Sequence, residues 1–266
     1  MTWWLALAFP LAALALVASV AGIVTPAVYA SETPNWAGQA VGQDIANVVA
    51  YAALVPLTLA AARGSLAALL GWAGIVAYGI YAYSIYAFSI HFGPLFLAYA
   101  AALGLSVYML IGALGGLDAE RVRASFRPDV PRWSTAGVLI GVGVLFALLW
   151  LSEIVPATVS GKVPASLETA GLVSNPVYVL DLALLLPATV IGGVLLLQGR
   201  AWGYVLAPIL LTVLFLLSLG IVAGFGVLAV RGETAPVAVA VVIAAIAVAQ
   251  LVILARFLRG LRGAPA

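Results

Sequence analysis

The sequence predicts an all-α, polytopic membrane protein with eight transmembrane helices. Three observations predict it. Of the 266 residues, 65% are hydrophobic and only 8% are charged, where a soluble domain carries about a quarter charged residues. The apolar residues fall into eight runs of roughly twenty, the length that crosses a bilayer as a helix. The stretches between the runs alternate between arginine-rich and arginine-poor.

The runs cover about 3–29, 44–62, 66–92, 95–117, 135–152, 176–197, 204–228 and 236–256. The first resembles a signal peptide, with Val28-Tyr29-Ala30 as a small-residue cleavage site. It lacks a basic leader, however, and its apolar run is too long for a typical hydrophobic core region. It is therefore read as a helix. The second begins at Asp44 and Asn47, with Asp44 placed as the N-cap, and holds Pro56 in its interior. The third carries Tyr78, Tyr81, Tyr83, Ser84, Tyr86, Ser89 and His91. At about 100° per residue, Tyr78, Tyr81 and Ser89 share one face, Tyr83 and Tyr86 a second, and Ser84 and His91 a third. An unpaired hydroxyl in hydrocarbon costs several kcal/mol, so this helix belongs inside a bundle.

Small-residue pairs mark close helix contacts at Gly112 and Gly116, Gly137 and Gly141, and Gly220 and Gly224. Such pairs serve contacts within one chain or between copies in a homo-oligomer. The sixth run holds Asp181, about five residues or roughly 7–8 Å into the helix, and Pro187. The two longest intervening segments, about 30–43 and 153–175, read as loops. Trp36 in the first reads as an interfacial anchor, with capping of a ligand as the alternative. Asp118 reads as the cap of a short helix carrying Arg121 and Arg123.

The charges set the orientation. One set of ends holds Arg63, Arg121, Arg123, Arg127, Arg132, Arg200, Arg256, Arg259 and Arg262, and the other holds only Lys162 and Arg231. Positive residues stay inside, which puts both termini in the cytoplasm. Arg256, Arg259 and Arg262, spaced by three, also suit anionic head groups. Arginine outnumbers lysine ten to one, and alanine, glycine and valine abound. This composition reads as a high-GC genome and the cytoplasmic membrane of a bacterium or archaeon.

An internal repeat is expected. Val24-Thr25-Pro26-Ala27 resembles Ile154-Val155-Pro156-Ala157, and Leu54-Val55-Pro56-Leu57-Thr58-Leu59 resembles Leu185-Leu186-Pro187-Ala188-Thr189-Val190. The halves are 1–134 and 135–266, four helices each, in parallel orientation about an axis along the membrane normal. Pro56 and Pro187 each remove a donor and leave the carbonyl four residues earlier without its partner, which makes them expected hinges.

Composition excludes much chemistry. There is no cysteine and a single histidine, so no zinc, copper or haem ligand set is available. No Gly-rich phosphate loop and no Ser-His-Asp arrangement is present. The only lysine, Lys162, lies in a loop, which leaves no site for a retinal Schiff base. No cofactor is expected, and a net charge of +2 does not suggest nucleic acid. The expected partners are the lipid bilayer and a small solute. The candidate ligand-binding residues are Asp181, Asp44, Asn47, His91, Glu153, Tyr78 and Tyr81, converging on a cavity open to the outer face. An acidic, tyrosine-rich wall suits a cation, an amine or a proton-coupled substrate. Two alternatives follow from other features. The glycine stripes suit a non-catalytic subunit or receptor. Asp181 and His91 suit a lipid-modifying enzyme if they come within hydrogen-bond reach.

Overall fold

The computed structural model describes residues 2–262. Eight helices among them are long and apolar enough to cross a membrane: α1 (Trp3–Val24), α2 (Pro34–Ala62), α3 (Leu66–Ser89), α4 (Phe96–Gly115), α5 (Arg132–Ser160), α6 (Pro176–Leu197), α7 (Ala201–Val230) and α8 (Val237–Leu258). The chain is an integral membrane protein with all-helical spans.

Local chemistry sets the helix ends. Thr33 accepts the Trp36 N–H ahead of Pro34, and Asn175 accepts the Val177 N–H ahead of Pro176. Ser65 caps α3 through the Ala68 N–H. The tight turns after α2 and α6 hold Gly64 and Gly199 at φ +92° and +67°, a region closed to most side chains. Asp118 caps a short helix, Ala119–Ala124, as expected.

Two expected boundaries are corrected. Residues 34–43 are not a loop but the first turns of α2, so Asp44 lies ten residues inside the helix and caps nothing. The polar residues Asn35, Gln39, Gln43 and Asp44 depress hydropathy there. The backbone is nevertheless held by the Thr33 cap and by a small-residue stripe packed on α7. Residues 153–160 likewise continue α5, which ends where Gly161 turns left-handed at φ +65°.

The helices α3 and α7 are the most enclosed, and α5 is the least. The pairs α1–α2, α2–α3, α3–α4 and α1–α4 pack together, as do α5–α6, α6–α7, α7–α8 and α5–α8. Between these groups α2 runs along α7 in the most extensive helix pair, and α3 also packs on α7. A Cβ added to Gly42 would stand 2.2 Å from the Gly224 Cα, so the α2 and α7 backbones meet directly. By contrast, α6 meets α3 chiefly through its first turn, Pro176–Leu180.

The arginine-rich end is closed by the segment before α5. Phe126 sits 5.4 Å from the Tyr204 ring and 4.8 Å from the Phe257 ring, centroid to centroid. The Arg127 N–H donates to the Gly260 carbonyl and the Arg262 N–H to the Ser125 carbonyl, each at 2.8 Å. The arginine-poor end is roofed by residues 161–175. There the Thr33 hydroxyl donates to the Ala170 carbonyl at 3.1 Å and ties this segment to the start of α2.

Candidate functional site

Where α6 stands off from α3, a cavity of about 250 Å³ opens between α2, α3, α5, α6 and α7, with Gln250 of α8 at its edge. Its wall is mostly apolar and aromatic. Tyr81, Tyr86, Trp36, Phe146, Trp150 and Phe225 contribute rings, and Gln39, Gln43, Ser218, Gln250 and Asp181 contribute polar side chains.

Asp181 is the one charged residue in that wall. It is 6% exposed. The Tyr81 hydroxyl donates to Oδ1 at 2.9 Å, and the Trp150 indole N–H donates to Oδ2 at 2.7 Å. Three helices thus meet at one carboxylate. Residues Asp181–Leu185 wind as a π-helical turn just ahead of Pro187. Pro187 brings no N–H, and in a regular α-helix its ring would crowd the Ala183 carbonyl. A wider turn relieves that clash and sets Asp181 facing inward. Pro56 leaves α2 continuous, and Thr58 donates to the Leu54 carbonyl at 2.7 Å two residues on.

The four tyrosines of α3 are all buried, as the enclosure argument requires. They turn to different partners. Tyr81 goes to α6. Tyr78 donates to Asn47 Oδ1 at 2.7 Å and accepts from Gln43 Nε2, which itself lines the cavity. Tyr86 donates to Asp44 Oδ1 at 2.9 Å and to the Ala40 carbonyl at 3.0 Å. Tyr29 donates to Asp44 Oδ2 at 2.6 Å. Burial, with the Asp44 carboxylate next in effect, pushes the Tyr29 phenol far above its usual value, so it stays a donor.

The candidate residues therefore form separate groups. Asp181 and Tyr81 share the cavity. Asp44, Asn47 and Tyr78 sit behind its wall, around α2. Glu153 lies at the arginine-poor end of α5, where it accepts from the Tyr178 hydroxyl and, at 3.1 Å, from the Ser166 N–H. His91 is held by Glu32, whose Oε1 meets the ring Nδ1 at 3.0 Å and the His91 backbone N–H at 2.7 Å. It lines a second, outer groove of about 590 Å³ beside Val173 and Leu180. Asp181 and His91 thus occupy different pockets with different partners.

Several wall residues were absent from the expected ligand-binding set. Trp36 is 6% exposed rather than anchored at a wet interface, and its indole N–H donates to the Ser89 carbonyl at 2.9 Å. It became part of the wall because α2 starts ten residues earlier than hydropathy suggests. Gln250 had a signal: apart from Arg256, it is the only hydrogen-bonding side chain in α8. It is buried, accepts from Ser218 at 3.1 Å, and its Nε2 has no partner. Trp150 carried no signal beyond its type.

Of the glycine pairs, Gly220 makes room for Gln43, Gly224 for α2 and Gly112 for Trp3 and Trp4, all within the chain. Gly137 and Gly141 face open space. Among the described residues no group of three or more His, Asp or Glu side chains gathers as a metal site. Comparison of the chain with protein-family models, curated proteins and solved structures finds no match.

Proposed function

We propose that the protein binds a small cationic solute, an amine or a compact quaternary ammonium, in the cavity at Asp181 and passes it across the membrane. One observation carries this reading: a buried carboxylate faces a cavity whose lining residues include no lysine, arginine or histidine. A cation entering there would meet the Asp181 carboxylate and the rings of Trp36, Trp150 and Tyr81, the kinds of partner that attract onium groups. The Gln250 amide adds an unpaired donor for a polar substituent. At about 250 Å³ the cavity falls below the 300–1,000 Å³ of drug-sized pockets, which selects a small solute.

Passage needs two arrangements of the bundle. Pro187, with its π-helical turn, and Pro56 are the hinges in this reading. The two groups of four helices, α1–α4 and α5–α8, are the bodies that rock; their internal neighbour patterns match as a parallel repeat would, although the α2–α7 contact has no equal in α6–α3. The arginine-poor end faces outward and both termini face the cytoplasm.

The test uses purified protein in nanodiscs and a panel of small amines, with choline and its neutral isostere 3,3-dimethylbutanol as the reference pair. A bound cation at a hundred times its Kd stabilises by about 2.7 kcal/mol. Choline-type cations should raise the melting temperature, their isosteres should not, and Asp181→Asn should lose the response at unchanged expression. A flat response to every cation, or an intact one in Asp181→Asn, overturns the reading.

A second reading, assembly with another membrane protein or a second copy, is favoured by α5. It is the least enclosed helix, and Gly137 and Gly141 have no atom within 4 Å of a built Cβ.

A further inference from the structure

The cavity uses one buried carboxylate, and the protein has another. Asp44 is 1% exposed, deep in α2, and lines no part of the cavity. Tyr29 and Tyr86 donate to its two oxygens. Ser19 Oγ and Asn47 Nδ2 lie beside it, both fully buried and neither with a hydrogen-bond partner. The titratable groups facing it are all phenols: Tyr29 from the turn after α1, Tyr78, Tyr83 and Tyr86 from α3, and Tyr99 from α4. The packed face of α1 offers only Ser19, and α7 carries no charged side chain at all. Among the described residues Asp44 has no salt-bridge partner. A metal cation would want oxygen lone pairs turned toward it. Here the neighbours are mostly hydroxyls, which donate to an ionised carboxylate and can turn to accept from a protonated one, so Asp44 can be held in either state.

The neighbours connect this group to both sides. Toward the cavity, Tyr86 bridges directly, since its hydroxyl is 2.9 Å from Asp44 and its ring lines the wall. Toward the arginine-poor face, the exposed His91 holds Glu32 at 3.0 Å, and the Glu32 side chain is itself only 2% exposed. Tyr99 of α4 is buried near Glu32 and Tyr29, and its hydroxyl has no hydrogen bond of its own. Its ring stacks on Tyr86 at 4.9 Å. The chain even keeps space clear: a Cβ at Gly22 would stand 2.0 Å from Asp44 Oδ2.

We infer that Asp44 is a proton-binding site, separate from the solute carboxylate, that exchanges with the arginine-poor face past His91, Glu32, Tyr99 and Tyr29 and senses the cavity through Tyr86. The step is one proton added to or lost from a carboxylate oxygen, with water as donor or acceptor. Each phenol that passes it gives up one proton as it gains one. As a coupling site for the solute, it rests on the cation reading above. As a proton site, it does not.

The experiment is an infrared pH titration of the protein in nanodiscs, recorded from pH 4 to 9 without solute. A protonated-carboxyl C=O band that titrates in the wild type should vanish in Asp44→Asn and persist in Asp181→Asn. Tyr29→Phe and Tyr86→Phe, which keep the rings, should each shift the frequency of that band, and Tyr81→Phe should not. These variants also carry the test if Asp44→Asn does not fold. A band that does not titrate, that survives Asp44→Asn, or that ignores both phenylalanine variants overturns the assignment. Because no solute is used, failure here leaves the Asp181 cavity standing, and a cavity that takes no cation leaves the band in place.

Discussion

Gly42→Ala should be among the most damaging small substitutions in this protein. The added Cβ would lie 2.2 Å from both the Cα and the N of Gly224. Ordinary contact begins near 3.4 Å, so α2 and α7 must part by more than 1 Å. Neither obstacle is the flexible end of a side chain. The pair is also the most extensive helix contact in the bundle, so separation there loosens every packed layer along it. Overpacking of this kind costs about 1–3 kcal/mol. At about 2–4 °C per kcal/mol for a chain of this order of size, the upper half of that range is a fall of about 4–12 °C in melting temperature. The control is Gly137→Ala on α5, where nothing lies within 4 Å of the new methyl. Alanine favours helix over glycine by up to about 1 kcal/mol, so the control should melt at or slightly above the wild type. Both are read by thermal unfolding in the same nanodiscs. If Gly42→Ala melts within a degree of the wild type, or Gly137→Ala falls equally, the backbone contact between α2 and α7 is not what holds the bundle.

Other outcomes follow from single contacts. Pro187→Ala returns a donor to the helix and removes the ring that holds the turn wide. It should raise the melting temperature by a few degrees, and solute passage should fall if the π-helical turn is a hinge; unchanged passage removes Pro187 from that role. The native chain has no cysteine, so single cysteines report topology cleanly. An impermeant thiol reagent added to intact cells should label Lys162→Cys and not Arg63→Cys, and the reverse pattern would invert the assigned orientation. Phe126→Ala strips the aromatic contact that ties the segment before α5 to Tyr204 and Phe257. It should cost about 3–5 kcal/mol, and a small loss would mean that the Arg127–Gly260 and Arg262–Ser125 backbone pairs close that end by themselves.

The spans were legible because apolar length and charge asymmetry are one-dimensional signals. The burial of α3 was legible too, since hydroxyls on three faces leave no side for lipid. The start of α2 was not. A window average sees Asn35, Gln39, Gln43 and Asp44 and reports a loop. The helix there exists because Gly38 and Gly42 let it press on Leu228 and Gly224, a tertiary fact. That error carried two others with it: Asp44 became a cap and Trp36 an interfacial anchor. The grouping of the polar residues was equally hidden. Tyr78, Tyr81 and Tyr86 are neighbours in sequence, but whether each meets Asn47, Asp181 or Asp44 depends on which helices flank α3. Asp181 stood out from position alone, since a carboxylate a turn into a membrane helix needs a reason. Its donors came from Tyr81, a named candidate, and from Trp150, which had no distinguishing context.

The occupancy of Asp181 leads to a prediction in which stability and affinity move in opposite directions. Each Asp181 carboxylate oxygen already accepts one hydrogen bond, from Tyr81 and from Trp150. A cation approaching through the cavity must share those oxygens or displace a donor. Tyr81→Phe keeps the ring that lines the wall and deletes one donor to a buried charge. The fold should then lose about 1.5–3 kcal/mol, the worth of a hydrogen bond to a charged group. The freed oxygen no longer has to release a phenol when the cation arrives. If half of that energy is recovered on binding, the affinity for choline-type cations rises by roughly three- to tenfold, at 1.4 kcal/mol per factor of ten. Calorimetric titration of the variant, beside its melting temperature, reads both quantities. A lower melting point with tighter binding fits competition at the carboxylate. A lower melting point with weaker binding would mean that the Tyr81 hydroxyl contacts the solute itself, so that the cation joins the hydrogen-bonded pair rather than breaking it.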